Sequence, residues 1–366
     1  MNPLKELEAL GQSIWLDYIR RDLLTGGGLK KLIDQDGLRG MTSNPAIFDK
    51  AISETNLYDD LIDKMAGKQS VHEIYDAITI RDIQDAADIF RPLYDRLDGR
   101  DGYVSLEVNP HLAHDTKGTV EEAKRLWKRV DRPNVFIKIP ATLEGLPAIT
   151  EVIGEGINVN VTLLFGLPRY REVAEAYIAG LEILASKNKP LKNIASVASF
   201  FLSRIDVLLD PVLEKMGAKD LVGEVAISSA KLAYPIYKEL FTSDRFKKLE
   251  AKEARPQRLL WASTSTKNPS YSDVKYVEPL IGPQTVNTVP PETLEAYRDH
   301  GKPELRLEKD LEKAKKVFAR LKELKISIDE QTERLVVEGV DKFNKPMDHL
   351  MESIEKATHR EKNETK

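Results

Sequence analysis

The chain has 366 residues and a net charge of −4, with 31% charged and 41% hydrophobic residues, as in an ordinary soluble globular protein. It contains no cysteine, which excludes disulfides, thiolate metal sites and a cysteine nucleophile. No cluster of basic residues suggests nucleic-acid binding, and the six His do not stand at metal-ligand spacing. We therefore expect neither nucleic acid nor a metal ion to bind. No apolar stretch resembles a signal peptide or a membrane span, so we expect no membrane contact and a cytoplasmic location.

Short apolar, β-branched runs recur along the chain, and each is followed by a longer helical pattern. The predicted strands cover residues 13–19, 39–43, 103–108, 135–139, 157–164, 194–200, 259–263 and 285–289. Between them, segments such as 71–97 and 170–185 carry apolar residues close to helical spacing. This alternation predicts an α/β fold, a (β/α)8 TIM barrel, with an open doubly wound sheet as the alternative. The three glycines 26–28 follow a helical pattern and predict a turn, so we expect no nucleotide cofactor.

The chain continues beyond the last predicted strand with further helical patterns. Residues 305–324 are charged and amphipathic, and Ser327 is placed to cap a long helix that begins at Ile328. We therefore expect a single barrel domain over 1–366, with 305–360 as a C-terminal helical extension. The polar residues 359–366 are expected to fray.

Lys138 stands in the middle of the apolar run NVFIKIPAT, residues 134–142, which predicts a buried strand that Pro140 ends. Burying an unpaired ammonium is costly, and a desolvated amine tends to lose its proton. A neutral amine in a pocket is what Schiff-base chemistry on a carbonyl requires. The alternative is a lysine at a strand end whose ammonium reaches water.

Polar residues fall at the C-terminal ends of nearly all the predicted strands, where catalytic groups of such barrels gather. Those considered as site residues are Asp17, Asn44, Ser105, Glu107, Lys138, Asn160, Thr162 and Ser199. Each alone has an ordinary structural explanation, such as a helix cap or a surface ion pair. Their convergence on one barrel mouth favours a functional site.

Two cations beyond the strand ends are candidates for holding a phosphate. Arg204 follows the sixth predicted strand and Lys267 follows the seventh. The alternative for Arg204 is an ion pair on the helix surface with Asp206 or Asp210.

Five blocks of this chain, in this order, resemble transaldolases. They are MTSNP at 41–45, VSLEV at 104–108, FIKIPAT at 136–142, NVNVTLLF at 158–165 and VASFFLSRID at 197–206. The resemblance implies a cofactor-free α/β barrel of the pentose phosphate pathway. Such enzymes move a dihydroxyacetone unit from sedoheptulose 7-phosphate to glyceraldehyde 3-phosphate.

The resemblance also implies roles for the catalytic residues. Lys138 is expected to form the Schiff base with the ketose, and Asp17 to transfer the proton of the donor hydroxyl. Glu107 and Thr162 are expected to hold and activate the water that is exchanged as the carbinolamine dehydrates.

The remaining site residues are expected to bind substrate. Asn44 and Asn160 resemble the amides that bind donor hydroxyls, with Ser105 and Ser199 lining the pocket. Arg204 is expected to bind the phosphate. Shorter transaldolases carry an arginine in the segment where this chain has Lys267, which lacks the planar fork of a guanidinium.

Two alternatives remain open at the level of sequence. A fructose-6-phosphate aldolase shares the lysine strand but releases free dihydroxyacetone, and such chains tend to carry an amide where Glu107 stands. The second alternative is a barrel that binds sugar phosphates and catalyses no reaction. The partners expected are small sugar phosphates, with a monomer or a homodimer as the assembly.

Overall fold

Eight parallel strands close into a barrel in the computed structural model, which describes residues 2–359. Each strand pairs with its neighbours in chain order, and the last pairs with the first. The strands are β1 Gln12–Asp17, β2 Gly40–Thr42, β3 Tyr103–Glu107, β4 Val135–Pro140, β5 Val159–Leu164, β6 Ser196–Phe201, β7 Arg258–Ala262 and β8 Thr285–Val289. Every predicted strand overlaps an observed one, so the (β/α)8 prediction is confirmed and the open sheet is wrong.

Helices surround the barrel and continue beyond its last strand. They are α1 Pro3–Ala9, α2 Arg21–Thr25, α3 Gly28–Asp36, α4 Pro45–Ser53, α5 Asp59–Met65, α6 Val71–Arg96, α7 Thr116–Val130, α8 Gly145–Gly154, α9 Leu167–Ser186, α10 Ser203–Lys215, α11 Val225–Phe241, α12 Asp244–Glu250, α13 Pro291–His300, α14 Leu311–Glu323 and α15 Ile328–Thr358. Short 3-10 turns lie at Pro110–Leu112 and Glu278–Leu280. No helix among residues 2–359 is long and apolar enough to cross a membrane.

Capping residues define where the long helices begin. The Ser70 side chain accepts from the backbone N–H of Glu73, whose carboxylate accepts from the Ser70 backbone, so α6 starts with a capping box. Ser327 accepts from the N–H of Glu330 and caps α15, as the sequence predicts. The predicted turn at 26–28 is also confirmed, because Gly27 adopts φ 77° between α2 and α3.

The helical pattern predicted over 305–324 is shorter in the structure. The backbone N–H groups of Arg306 and Leu307 donate to the carbonyl of Ile281, and Leu307 is buried. These contacts hold the first residues of the segment against the barrel, a turn follows over residues 307–310, and helix α14 begins only at Leu311. The expected fraying beyond His359 lies outside the described residues.

Aromatic side chains fill the barrel below its polar end. Tyr103 stacks on Phe136 with ring centroids 4.3 Å apart, and Phe136 stacks on Trp15 at 6.0 Å. Gly40 is the register partner of Trp15, and a Cβ at Gly40 would lie 2.5 Å from the indole ring. This packed layer supports the polar residues one step further along the same strands.

Candidate active site

A cavity of about 320 Å³ opens at the carboxyl-terminal mouth of the barrel. Seven of the predicted site residues line it: Asp17, Asn44, Lys138, Thr162, Ser199, Arg204 and Lys267. Three others, Ser105, Glu107 and Asn160, do not line this cavity and are buried beside it. The structure therefore brings the predicted site residues together at one end of the barrel, as the strand-end pattern predicts.

Lys138 lies on β4 with its side chain 6% exposed. Register pairs it with Glu107 on β3 and with Asn160 on β5, so the three residues stand on one face of the sheet. Its Nζ donates to the carbonyl oxygen of Ser43 at 2.8 Å and lies 3.6 Å from Oε2 of Glu107. The amine is buried at the mouth, as the sequence predicts, and does not reach bulk water.

Glu107 is buried, and its Oε2 has no hydrogen-bond partner among the described residues. Burial raises the pKa of Glu107 to about 7, against the opposing effect of the nearby Lys138 ammonium. The carboxyl group can therefore take up and release a proton near neutral pH.

Asp17 ends β1 on the other side of the mouth. Its Oδ1 accepts from the hydroxyl of Thr42 at 2.7 Å, and Thr42 in turn contacts the hydroxyl of Thr288 at 2.7 Å. Loss of surrounding water raises the pKa of Asp17, while Lys138 and the Thr42 hydroxyl lower it. The two carboxyl groups thus flank the lysine in different surroundings, one with a hydroxyl partner and one without.

A chain of hydrogen bonds orients the amide of Asn160 inside the barrel. Oγ of Ser199 donates to Oδ1 of Asn160 at 2.6 Å, and Nδ2 of Asn160 donates to Oγ of Ser105 at 3.1 Å. Because the oxygen accepts from Ser199, the amide presents its nitrogen toward Ser105. Asn160 and Ser105 are fully buried, so they support the wall of the cavity.

Thr162 and Asn44 complete the polar wall. The buried hydroxyl of Thr162 has no hydrogen-bond partner among the described residues. The next residue, Leu163, has φ 53°, and the register between β5 and β6 shifts there. Such bulges re-aim side chains beside functional sites. Asn44 caps α4 by accepting from the N–H of Ile47 at 3.0 Å.

Arg204 lies in the first turn of α10 and faces the cavity. Its guanidinium carbon is 5.5 Å from the ring centroid of Phe201 and 5.9 Å from that of Phe343. Nη1 is buried without a hydrogen-bond partner among the described residues, and burial lowers the pKa of this arginine. An unpaired, desolvated guanidinium is a site for an anion.

The alternative of a surface ion pair for Arg204 is wrong. Asp206 accepts from Tyr276 at 2.7 Å, and Asp210 accepts from Tyr271 at 2.6 Å, away from the arginine. Within residues 2–359, no carboxylate forms an ion pair with Arg204.

Lys267 lies on the rim, between β7 and β8. Its side chain is exposed, and Nζ donates to the hydroxyl of Ser265 at 2.5 Å. It lines the same cavity as Arg204, so both predicted phosphate-binding cations face one space.

The C-terminal helix α15 adds residues that the strand-end pattern does not predict. Phe343 and Lys342 line the cavity, and the Phe343 ring lies 5.9 Å from Nζ of Lys138. Lys50 and Glu292 also line it. The apolar periodicity of α15 places Phe343 on its buried face, but only the packing of the helix across the mouth shows what that face covers.

No group of three or more His, Asp or Glu side chains in the described part of the chain is arranged to hold a metal ion. The site is made of an amine, two carboxyl groups, amides, hydroxyls and a guanidinium. The fold and this site define a (β/α)8 barrel with its reactive groups at the carboxyl ends of the strands.

Comparison with known proteins identifies the family. The family model described as transaldolase/fructose-6-phosphate aldolase matches residues 14–354. A protein named transaldolase from Trichodesmium erythraeum is 50% identical over 97% of both chains. Transaldolases from Saccharopolyspora erythraea, 49% identical over 96% of both chains, and from Thiobacillus denitrificans, 46% identical over 97% of this chain and 100% of theirs, are also similar. The chain belongs to the transaldolase/fructose-6-phosphate aldolase family.

Proposed function

We propose that the protein is a cytoplasmic transaldolase of the pentose phosphate pathway. It transfers a dihydroxyacetone unit from sedoheptulose 7-phosphate to glyceraldehyde 3-phosphate through a Schiff base on Lys138. The observation that carries the proposal is the buried amine of Lys138, which lies 3.6 Å from the Glu107 carboxyl group in a cavity that also contains Arg204.

The reaction begins when the Lys138 amine attacks the ketose carbonyl and forms a carbinolamine. Loss of its hydroxyl as water gives the imine, and Glu107 supplies the proton that this departure requires. A carboxyl group with a pKa of about 7 is suited to give that proton and to take one back when water returns. The free hydroxyl of Thr162 holds the same water.

Carbon–carbon cleavage follows from the imine. Asp17 removes the proton from the donor hydroxyl, the bond to the three-carbon unit breaks, and the iminium accepts the electron pair as an enamine. The aldehyde product leaves, and the enamine carbon attacks the acceptor aldehyde while Asp17 returns the proton. Hydrolysis of the new imine releases the product and restores Lys138.

Binding groups surround this centre. Asn44, Asn160, Ser105 and Ser199 bind or position the donor hydroxyls and the three-carbon unit. Arg204 binds the substrate phosphate, with Lys267 as a second cation at the rim.

The carboxyl group of Glu107 favours transfer over release of free dihydroxyacetone. A fructose-6-phosphate aldolase belongs to the same family model, so the fold alone does not separate the two activities. The named relatives described above, which span almost the whole chain, are all transaldolases.

Trapping with borohydride tests the Schiff base. Wild-type protein incubated with fructose 6-phosphate and then reduced should gain the mass of one three-carbon unit on Lys138. Lys138→Arg should fold, form no adduct and lose essentially all transfer, because a guanidinium stays protonated and cannot form an imine.

A matched control is Lys231→Arg, which alters the other lysine that is buried among residues 2–359, on α11 away from the mouth. This variant should keep the adduct on Lys138. Substantial transfer by Lys138→Arg, or no adduct in the wild type, would show that the Schiff-base assignment is wrong. The absence of any adduct would instead favour a barrel that only binds sugar phosphates.

A further inference from the structure

A second cavity, of about 510 Å³, opens at the amino-terminal end of the barrel, opposite the mouth. Its size is in the range of small-molecule sites. Its charged lining residues are Glu8, Arg39, Arg100, Asp101, Arg255 and Arg258. Four arginines and two carboxylates give this space an excess of positive charge, in a chain whose net charge is −4.

The carboxylate of Asp101 is already satisfied by protein donors. Oδ1 accepts from Nε1 of Trp15 at 2.9 Å and from Nη2 of Arg258 at 3.1 Å, and the hydroxyl of Ser13 donates to Oδ2. Asp101 therefore holds Arg258 in place and has little capacity left to neutralise the other arginines.

Two of the remaining arginines keep unused donors. Arg39 pairs with Glu8 through Nη2, while its Nε is buried without a hydrogen-bond partner among the described residues. Arg100 is exposed, and its side chain makes no hydrogen bond or ion pair with any of residues 2–359. A guanidinium left unpaired at a cavity wall is a binding group for an anion.

Arg255 is fixed at the wall by backbone groups. It donates to the carbonyls of Gly99 and Asp98 at 2.6 and 2.5 Å. The carboxylate of Asp98, 3.5 Å from Arg255, is shared with Lys192 at 3.4 Å and does not line the cavity. The fold thus sets the positions of Arg255 and Arg258 before any ligand arrives, while Arg100 stays free to reach a ligand.

We propose that this cavity binds a small organic phosphate that carries at least two anionic groups. The guanidinium groups come from three segments of the chain, before β2, before β3 and at the start of β7, and together offer more donors than one anionic group can use. Their planar fork fits phosphate oxygens. A cavity of this volume admits a bisphosphate or a nucleotide. The site is separate from the Arg204 site, because β3 places Tyr103 at this cavity and Glu107 at the opposite end of the strand.

Calorimetric titration with pyrophosphate tests the proposal. The measurement is made in the double variant Arg204→Ala, Lys267→Ala, which removes both cations assigned to phosphate at the mouth. Adding Arg100→Gln should weaken pyrophosphate binding about tenfold, as for loss of a charged hydrogen bond. The variant should still fold, because the Arg100 side chain makes no hydrogen bond or ion pair with any of residues 2–359.

The matched control is Lys322→Gln in the same background, which removes one exposed positive charge on α14, outside the cavity. It should leave the affinity unchanged. Equal affinities in the Arg100→Gln and control proteins, or no binding at millimolar pyrophosphate, would overturn the site. Citrate binding as tight as pyrophosphate binding would overturn the preference for phosphate. None of these outcomes depends on the reaction proposed for the mouth, which borohydride trapping tests separately.

Discussion

Glu107 and Lys138 are close enough for their charges to interact and too deeply buried to be stabilised by water. Their separation of 3.6 Å leaves Oε2 of Glu107 without a direct hydrogen bond among the described residues. Removing water from the carboxylate is costly, and the ammonium offsets only part of that cost, so the pKa of Glu107 rises to about 7. The polar residues at the predicted strand ends indicate that Glu107 and Lys138 meet. The pKa of the carboxyl group cannot be predicted in this way, because it depends on burial by neighbouring elements.

Glu107→Gln should impair transfer while leaving some aldol cleavage. An amide can position a water molecule but cannot accept its proton. Transfer and cleavage are measured separately, with erythrose 4-phosphate as acceptor and without an acceptor. Unchanged transfer kinetics in Glu107→Gln would remove this residue from the mechanism.

The pH dependence of the transfer rate is a second test of the role of Glu107. Since the raised pKa leaves Glu107 neutral below about 7 and charged above it, steps that need the carboxylate should speed up as pH rises through about 7. This increase of the rate with pH should be absent from Glu107→Gln. An increase that persists in the variant would come from the titration of another group.

Arg204→Ala should weaken the binding of phosphorylated donors by roughly 2–5 kcal/mol, as for loss of one partner of a buried charge pair. The reason is that the guanidinium lines the cavity without an ion-pair partner among the described residues and that its Nη1 is buried and unpaired. Kinetics with fructose and with fructose 6-phosphate separate binding from folding, because fructose never uses the contact. Equal losses on both sugars would mean that Arg204 supports the fold, and Arg204→Lys should recover part of the effect.

At the scale of elements, the strands were more predictable than the cover of the site. The sequence places β4 over 135–139 and the structure over Val135–Pro140, because a buried parallel strand reads as a continuous apolar run. The bulge at Leu163 in β5, with φ 53°, has no sequence signal, since a leucine stands where the left-handed region favours glycine. Nor does periodicity show that α15 lies across the mouth, which is decided by packing against α4 and the barrel.

Phe343→Ala should lower kcat/KM about tenfold, because the ring faces both Lys138 and Arg204 and keeps water from them. It should also cost about 3–5 kcal/mol of unfolding free energy, as for other buried aromatic truncations. Leu350→Ala, two turns further along α15, is the control. Leu350 is also buried, but it lines neither the mouth cavity nor the space beside Glu107, so it should lose stability and keep activity. Equal activity losses in the two variants would mean that the helix, and not the ring, matters.

At the scale of the molecule, the predicted single domain depends on whether the C-terminal helices fold with the barrel. The apolar face of α15, with Leu335, Val340 and Leu350 among its residues, is part of the same buried cluster as the barrel core. Alternating strand and helix patterns predict the barrel, because the spacing of apolar residues within each short segment indicates whether it forms a strand or a helix. The sequence does not show whether the last helix is a separate unit, because that depends on contacts far apart along the chain.

We expect the barrel and α15 to unfold in one cooperative transition. Since the chain has no cysteine, Val337→Cys provides a single labelling site on an exposed position of α15. Unfolding by urea is followed by this label and by the buried tryptophans Trp15 and Trp261 of the barrel. A shared core requires that the two probes give the same midpoint, because α15 cannot leave without exposing apolar surface of the barrel. A label transition at lower urea than the tryptophan transition would show that α15 is a separate unit, and the active-site cover would then open without unfolding the barrel.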